Sequence, residues 1–144
     1  MDIFMEEAIR EARLSLSKSG IPIGSVLVKN GEIVGRGHNR RVQDNDPIMH
    51  AEINCIHNAG RIKKYDNTVL YSTLIPCYLC SGAIVQFGIK HVVVGESKNF
   101  TGAKEFLEKH GVSVVDLDLQ DCKDMLSKFI NENSDLWNED IAEI

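Results

Sequence analysis

The chain has 144 residues, enough for one domain with its own core, and 43% apolar with 26% charged residues is the balance of a folded globular protein. That balance excludes disordered and collagen-like organisation, and no apolar run approaches the ~20 residues of a membrane-spanning helix. The net charge of −5 sits in residues 121–144, where seven carboxylates face only Lys123 and Lys128. With no basic stripe, no nucleic-acid partner is expected. The acidic start Met1-Asp2-Ile3-Phe4-Met5-Glu6-Glu7 lacks the basic and apolar stretches of a secretory signal, so a soluble, cytoplasmic protein is expected.

The opening segment reads as an amphipathic helix with Met5, Ile9, Ala12 and Leu16 on one face. Asp2 is its cap, and Gly20 with Pro22 its stop. Two β-rich runs, Ile23 to Val28 and Glu32 to Arg36, flank Asn30-Gly31, a strong hairpin signal. Residues 50–59 have a helical pattern, Thr68 to Thr73 is β-rich, and Cys77 to Phe87 reads as a helix closed by Gly88. His91 to Val94 reads as a buried strand, Thr101 to His110 as a helix with a Thr cap and a terminal Gly111, and Val112 to Val115 as the last strand. From Leu119 onward the pattern is helical, with a break near Asn133-Ser134. Strands alternating with helices after a hairpin predict a single α/β domain over 1–144: a three-layer α/β/α sandwich around a mixed five-stranded sheet.

Two short motifs carry chemistry: His50-Ala51-Glu52 and Pro76-Cys77-Tyr78-Leu79-Cys80, each at the start of an expected helix. Alone, each is weak. Together they form the His-x-Glu, Pro-Cys-x-x-Cys signature of zinc nucleobase deaminases. One imidazole and two thiolates suit Zn²⁺, and three protein ligands leave the fourth tetrahedral position for water, as catalytic sites require. Cys77 and Cys80 are i and i+3, so their sulfurs project from one face of the first helical turn, where the helix dipole helps ionise them. His50 and Glu52, at i and i+2, share a site only if the substrate meets their helix end-on. Glu52 then lies beside the metal without ligating it, placed to move protons between water and substrate.

Two plainer readings stay open on these residues. A structural zinc site would close with a fourth ligand from His38, His57, His91, His110, Cys55 or Cys122. A redox dithiol at Cys77 and Cys80 is the other, although no proline follows Cys80. Cys55 and Cys122 read as small core residues rather than as parts of a disulfide framework.

With these motifs in hand, the chain resembles the cytidine-deaminase superfamily, and more closely its fungal-type free-base cytosine deaminases, over residues 5–143. The resemblance rests on Ile21-Pro22-Ile23-Gly24, Gly35-Arg36-Gly37-His38-Asn39, the two motifs above with Thr73-Leu74-Ile75, and Ser81-Gly82-Ala83-Ile84. It continues in Val94-Gly95-Glu96 with Asn99-Phe100, and in Trp137-Asn138-Glu139-Asp140-Ile141. It implies that His50, Cys77 and Cys80 bind one zinc ion and that Glu52 shuttles protons. It further implies that Asn39 and the Ala51 N–H hold the carbonyl edge of a pyrimidine, that Ile23, Phe100 and Trp137 line the pocket, and that Asp140 completes the polar contacts. Residues 134–144 would form a helix that closes the site, and the protein would be a homodimer acting in pyrimidine salvage. An alternative is an enzyme acting on adenosine in tRNA or on another small amino-bearing base. Two positions depart from the fungal pattern: Ile75 stands where that branch tends to have Ser, and Ala51 replaces its Gly and matches the tRNA branch. The dimer contact suggested by sequence is the apolar run Ala83-Ile84-Val85 with Phe87.

Overall fold

The computed structural model describes residues 2–143; Met1 and Ile144, the outermost positions of the expected domain, lie outside the described residues. Helix α1 spans Ile3–Ser17, followed by strands β1 (Gly24–Lys29) and β2 (Glu32–His38), helix α2 (Ala51–Ala59) and strand β3 (Thr68–Ser72). Helix α3 (Tyr78–Phe87), strand β4 (His91–Val94), helix α4 (Lys104–Lys109) and strand β5 (Ser113–Asp116) follow, then helices α5 (Gln120–Glu132) and α6 (Ser134–Asp140).

The strands form one mixed sheet in the order β2-β1-β3-β4-β5. The hairpin pairs β1 and β2 antiparallel, β1 and β3 are antiparallel, and the β3–β4 and β4–β5 pairs are parallel with helical crossovers between them. Asn30 and Gly31 both take positive φ (52° and 81°), as a two-residue hairpin with the right twist demands. Alternation along β1 and β3 splits the core: Val26, Val28 and Tyr71 meet Met5, Ala8 and Ile9 of α1, while Leu27 and Leu70 meet Ala51, Cys55 and Ile84 of α2 and α3. The three-layer α/β architecture is therefore as expected.

Glycine makes one of these contacts close. A Cβ on Gly37 would lie 2.4 Å from the Cys55 backbone nitrogen, so β2 and α2 pack with almost nothing between their main chains. The N-terminus of α2 is thereby fixed against the end of β2.

Three sequence expectations need correction. Leu16 is exposed, and the last buried residue of α1, beyond Ala12, is Ser15, which donates to the Asn39 carbonyl at 2.7 Å. The helix expected from Thr101 begins only at Lys104, because Gly102 has φ +61° and the Ala103 N–H donates to the Pro76 carbonyl instead of entering the helix. Ile84 of the suggested dimer contact is fully buried in the core, and Phe87 alone of that run is strongly exposed. Asp2 caps α1 as expected, accepting from the Phe4 and Met5 N–H groups, and α5 ends at Asn133. Among the described residues no helix is long and apolar enough to cross a membrane.

Candidate active site

The C-terminal ends of β2, β3 and β4 lie at one edge of the sheet, where open α/β sheets bind their ligands. Each leads into a segment that reaches a single cavity of about 350 Å³, at the small end of the range for small-molecule sites. His50 and Cys77 are the N-caps of α2 and α3, both extended (ψ 162° and −178°), and neither side chain makes a capping hydrogen bond. Cys77 is thus one residue outside the first helical turn, whereas Cys80 lies within it. The two helices present their N-termini, with unpaired N–H groups and positive dipole ends, to the same point.

His50 Nδ1 lies 3.4 Å from Cys77 Sγ, and one donor atom each from His50, Cys77 and Cys80 fall within 4.8 Å of one another. One nitrogen and two sulfurs at that spacing suit a tetrahedral zinc ion, and the donor set fits it. Among the described residues no fourth His, Cys, Asp or Glu joins the group. The closed structural site is therefore not what the geometry supports, and Cys55 and Cys122 are buried, free thiols elsewhere. Glu52 lines the cavity beside the cluster.

The other ring nitrogen of His50 is held from behind. Asp140 Oδ1 lies 3.2 Å from His50 Nε2 and 3.2 Å from Arg41 Nε, as close ion contacts rather than well-aligned hydrogen bonds. A carboxylate behind a metal-ligating imidazole fixes which nitrogen faces the metal. Arg41 Nε also donates to the Pro47 carbonyl at 2.9 Å, which anchors the guanidinium.

The protein groups polarise one another strongly. Cys80 is the main influence holding the Cys77 thiol down to about 4, with burial opposing and His50 assisting, while Cys80 itself is raised well above the usual thiol range. Burial works against the charge on His50, but Asp140 and Cys77 outweigh it and raise the imidazole to about 10. Burial, reinforced by the negative charge of Cys77, pushes Glu52 up to about 7. A cation entering here displaces protons, so its hold is pH-dependent.

Asn39 is fully buried at the end of β2. Its Oδ1 accepts from the Arg41 N–H at 3.0 Å, while Nδ2 has no partner and the residue lines the cavity. Asn39 therefore has a free donor, its oxygen being held by the backbone. Phe100 and Trp137 meet edge to face, their centroids 6.2 Å apart and their planes at 89°, and form a corner of two aromatic walls. Ile23 and Asp140 also line the cavity. Ala51 is buried and absent from the lining, so any contact it makes with a ligand runs through its backbone.

Sequence reasoning gave no site role to Leu74, Tyr78, Leu79 and Ile141, which line the cavity; Ile75, singled out there as a departure from the fungal pattern, lines it too, its side chain packed against Gly102. Arg41 was also missed; its two-residue separation from Asn39 carries no recognised signal.

A mixed sheet with helices on both faces, and a His-Cys-Cys cluster beside a buried carboxylate in a small cavity, define a zinc-dependent hydrolytic deaminase. The chain belongs to the cytidine and deoxycytidylate deaminase family, whose zinc-binding-region model matches residues 2–96. It is 44% identical over 142 residues to a cytosine deaminase of Candida albicans, covering 96% of this chain and 95% of the relative. It is 48% identical over 108 residues to a tRNA-specific adenosine deaminase of Streptococcus pyogenes, covering 72% of this chain and 67% of that protein. Among solved structures, one from a study of A-to-I editing by tRNA:A34 deaminases matches with a TM-score of 0.67 at 32% identity, over 78% of this chain and 95% of the other.

Proposed function

We propose that the protein hydrolyses free cytosine to uracil and ammonia. The observation that carries this reading is Asn39, whose buried, unpartnered Nδ2 offers a donor for a ring carbonyl within the cavity that holds the His-Cys-Cys cluster and Glu52. A ring bearing one carbonyl and one amine answers that arrangement. The near full-length similarity to a cytosine deaminase supports the same substrate.

Zinc held by His50, Cys77 and Cys80 would supply a water made far more acidic than bulk water, with a pKa of about 7. Glu52 takes one proton from the water and delivers it to the ring nitrogen next to the amine-bearing carbon as the water oxygen bonds to that carbon. It then takes the second proton from the same oxygen and gives it to the amine as the C–N bond breaks and ammonia leaves. Asn39 and the Ala51 N–H hold the carbonyl, Phe100 and Trp137 stack around the ring, and Asp140 keeps His50 oriented. Residues 134–143, containing α6, serve as the cover that keeps bulk water from the ring. A cytoplasmic homodimer working in pyrimidine salvage accords with this reading.

A second reading, an adenosine deaminase acting on tRNA, is favoured by Ala51 and by the 48% identity to the streptococcal enzyme. Ammonia release from zinc-loaded protein, with cytosine, cytidine and tRNA run in parallel, separates the two. Turnover of cytosine alone is the expected result. Turnover of cytidine would mean a pocket that admits ribose, and turnover of tRNA alone would establish the second reading.

A further inference from the structure

Phe100 stands at the end of a loop that has little structure of its own and is held by a buried carboxylate. Glu96, 1% exposed, follows β4. Its Oε2 accepts from the Lys98 and Asn99 N–H groups at 2.8 and 2.9 Å, and its Oε1 accepts from Asn99 Nδ2 at 2.9 Å. The Asn99 side chain then reaches α5, donating to the Lys123 carbonyl at 3.0 Å and accepting from Ser127 Oγ at 3.0 Å. The next residue is Phe100, whose ring meets Trp137 of α6. On its other side the loop is tied to the segment before Cys77, through Ile75 N–H to the Glu96 carbonyl and Ala103 N–H to the Pro76 carbonyl, both at 3.0 Å.

The geometry points to Glu96, Asn99 and Ser127 as positioning residues that set the place of the Phe100 wall and so the fit of the site to a free base. A buried carboxylate is costly unless its oxygens are satisfied, and here the groups satisfying it lie within the three residues that lead to Phe100. One Asn amide joins the β4 loop to α5 while Phe100 joins the same loop to α6, so the wall and the cover are held in register. This inference rests on the reading of Phe100 as a base-contacting wall.

Trp137 is the only tryptophan, and at 4% exposure it is sheltered by this corner, so its fluorescence reports the wall without any substrate. The experiment compares zinc-loaded full-length wild type with Asn99→Ala, Ser127→Ala and Phe100→Ala. In Asn99→Ala the emission of Trp137 should shift to the red and become more accessible to acrylamide. Its KM for cytosine should rise about tenfold with kcat changed by less than about threefold. Ser127→Ala, which removes one hydrogen bond and keeps the fold should Asn99→Ala lose it, should move both readouts the same way by a smaller amount. A purely structural bracket would lower Tm and leave KM and emission unchanged, which overturns the inference; a shifted emission with unchanged KM does so as well. If Phe100→Ala raises KM and Asn99→Ala does not, the bracket falls and the cytosine reading stands. If wild type does not turn over cytosine, that reading falls, and the emission of Asn99→Ala and Ser127→Ala alone decides the bracket.

Discussion

The metal cradle and the wall around it are built on opposite plans. His50, Glu52, Cys77 and Cys80 come from two helix starts, and each pair is placed by the local backbone of its own segment. Asn39, Phe100, Trp137 and Asp140 come from the end of β2, the loop after β4 and the C-terminal helix, and only packing brings them to one cavity. The geometry within each pair is therefore insensitive to changes elsewhere in the fold, whereas the wall can be disturbed from a distance. On the proposed reading, chemistry belongs to the first and substrate choice to the second.

The largest expected effect is in the cradle. Glu52→Gln should retain zinc, measured by metal analysis, and lose roughly 10²–10⁴-fold in kcat, since it removes the proposed proton carrier and leaves His50, Cys77 and Cys80 in place. Unchanged activity would remove Glu52 from the mechanism. Asp140→Asn tests the point where the two regions touch. Loss of the negative charge behind His50 should weaken zinc roughly 10–100-fold in a chelator competition, and Arg41→Gln should act in the same direction by less. Zinc affinity unaltered in both would mean that the contacts at 3.2 Å serve the cover alone.

Wall variants should split the kinetic constants differently. If Phe100 stacks on the base as proposed, Phe100→Ala removes a partner worth roughly 1–3 kcal/mol per base, so KM should rise about tenfold or more while zinc content stays constant. A change confined to kcat would argue against a stacking role. The smallest effect belongs far from both regions. Asp2→Ala, which deletes the cap of α1, should cost about 1 kcal/mol and lower Tm by a few degrees, with kcat/KM unchanged. Altered kinetics there would show that α1 reaches the site through Ser15 and the Asn39 carbonyl more strongly than its single hydrogen bond suggests.

Much of this was legible before the structure, though unevenly. The hairpin at Asn30-Gly31, the cap at Asp2 and the break at Asn133 are local backbone decisions, and each falls where the residues place it. The start of α4 differs from its sequence expectation because Thr101 is a good cap by type, while the claim of Pro76 on the Ala103 N–H is a contact from 27 positions earlier in the chain. Arg41 carried no signal, being an ordinary loop arginine until α6 brings Asp140 against it. Glu96 and Asn99 were noticed only as part of a resemblance, and their hydrogen bonds to each other and to α5 give them a physical purpose.

By itself the sequence determined the metal-binding chemistry, because ligand type and an i, i+3 or i, i+2 spacing at a helix start are set by the φ and ψ of a few consecutive residues. Tertiary structure alone decided what the metal faces. The donor of Asn39, the aromatic corner of Phe100 and Trp137, and the carboxylate of Asp140 behind His50 depend on how β2, the β4 loop and α6 pack, and no short-range spacing encodes those distances.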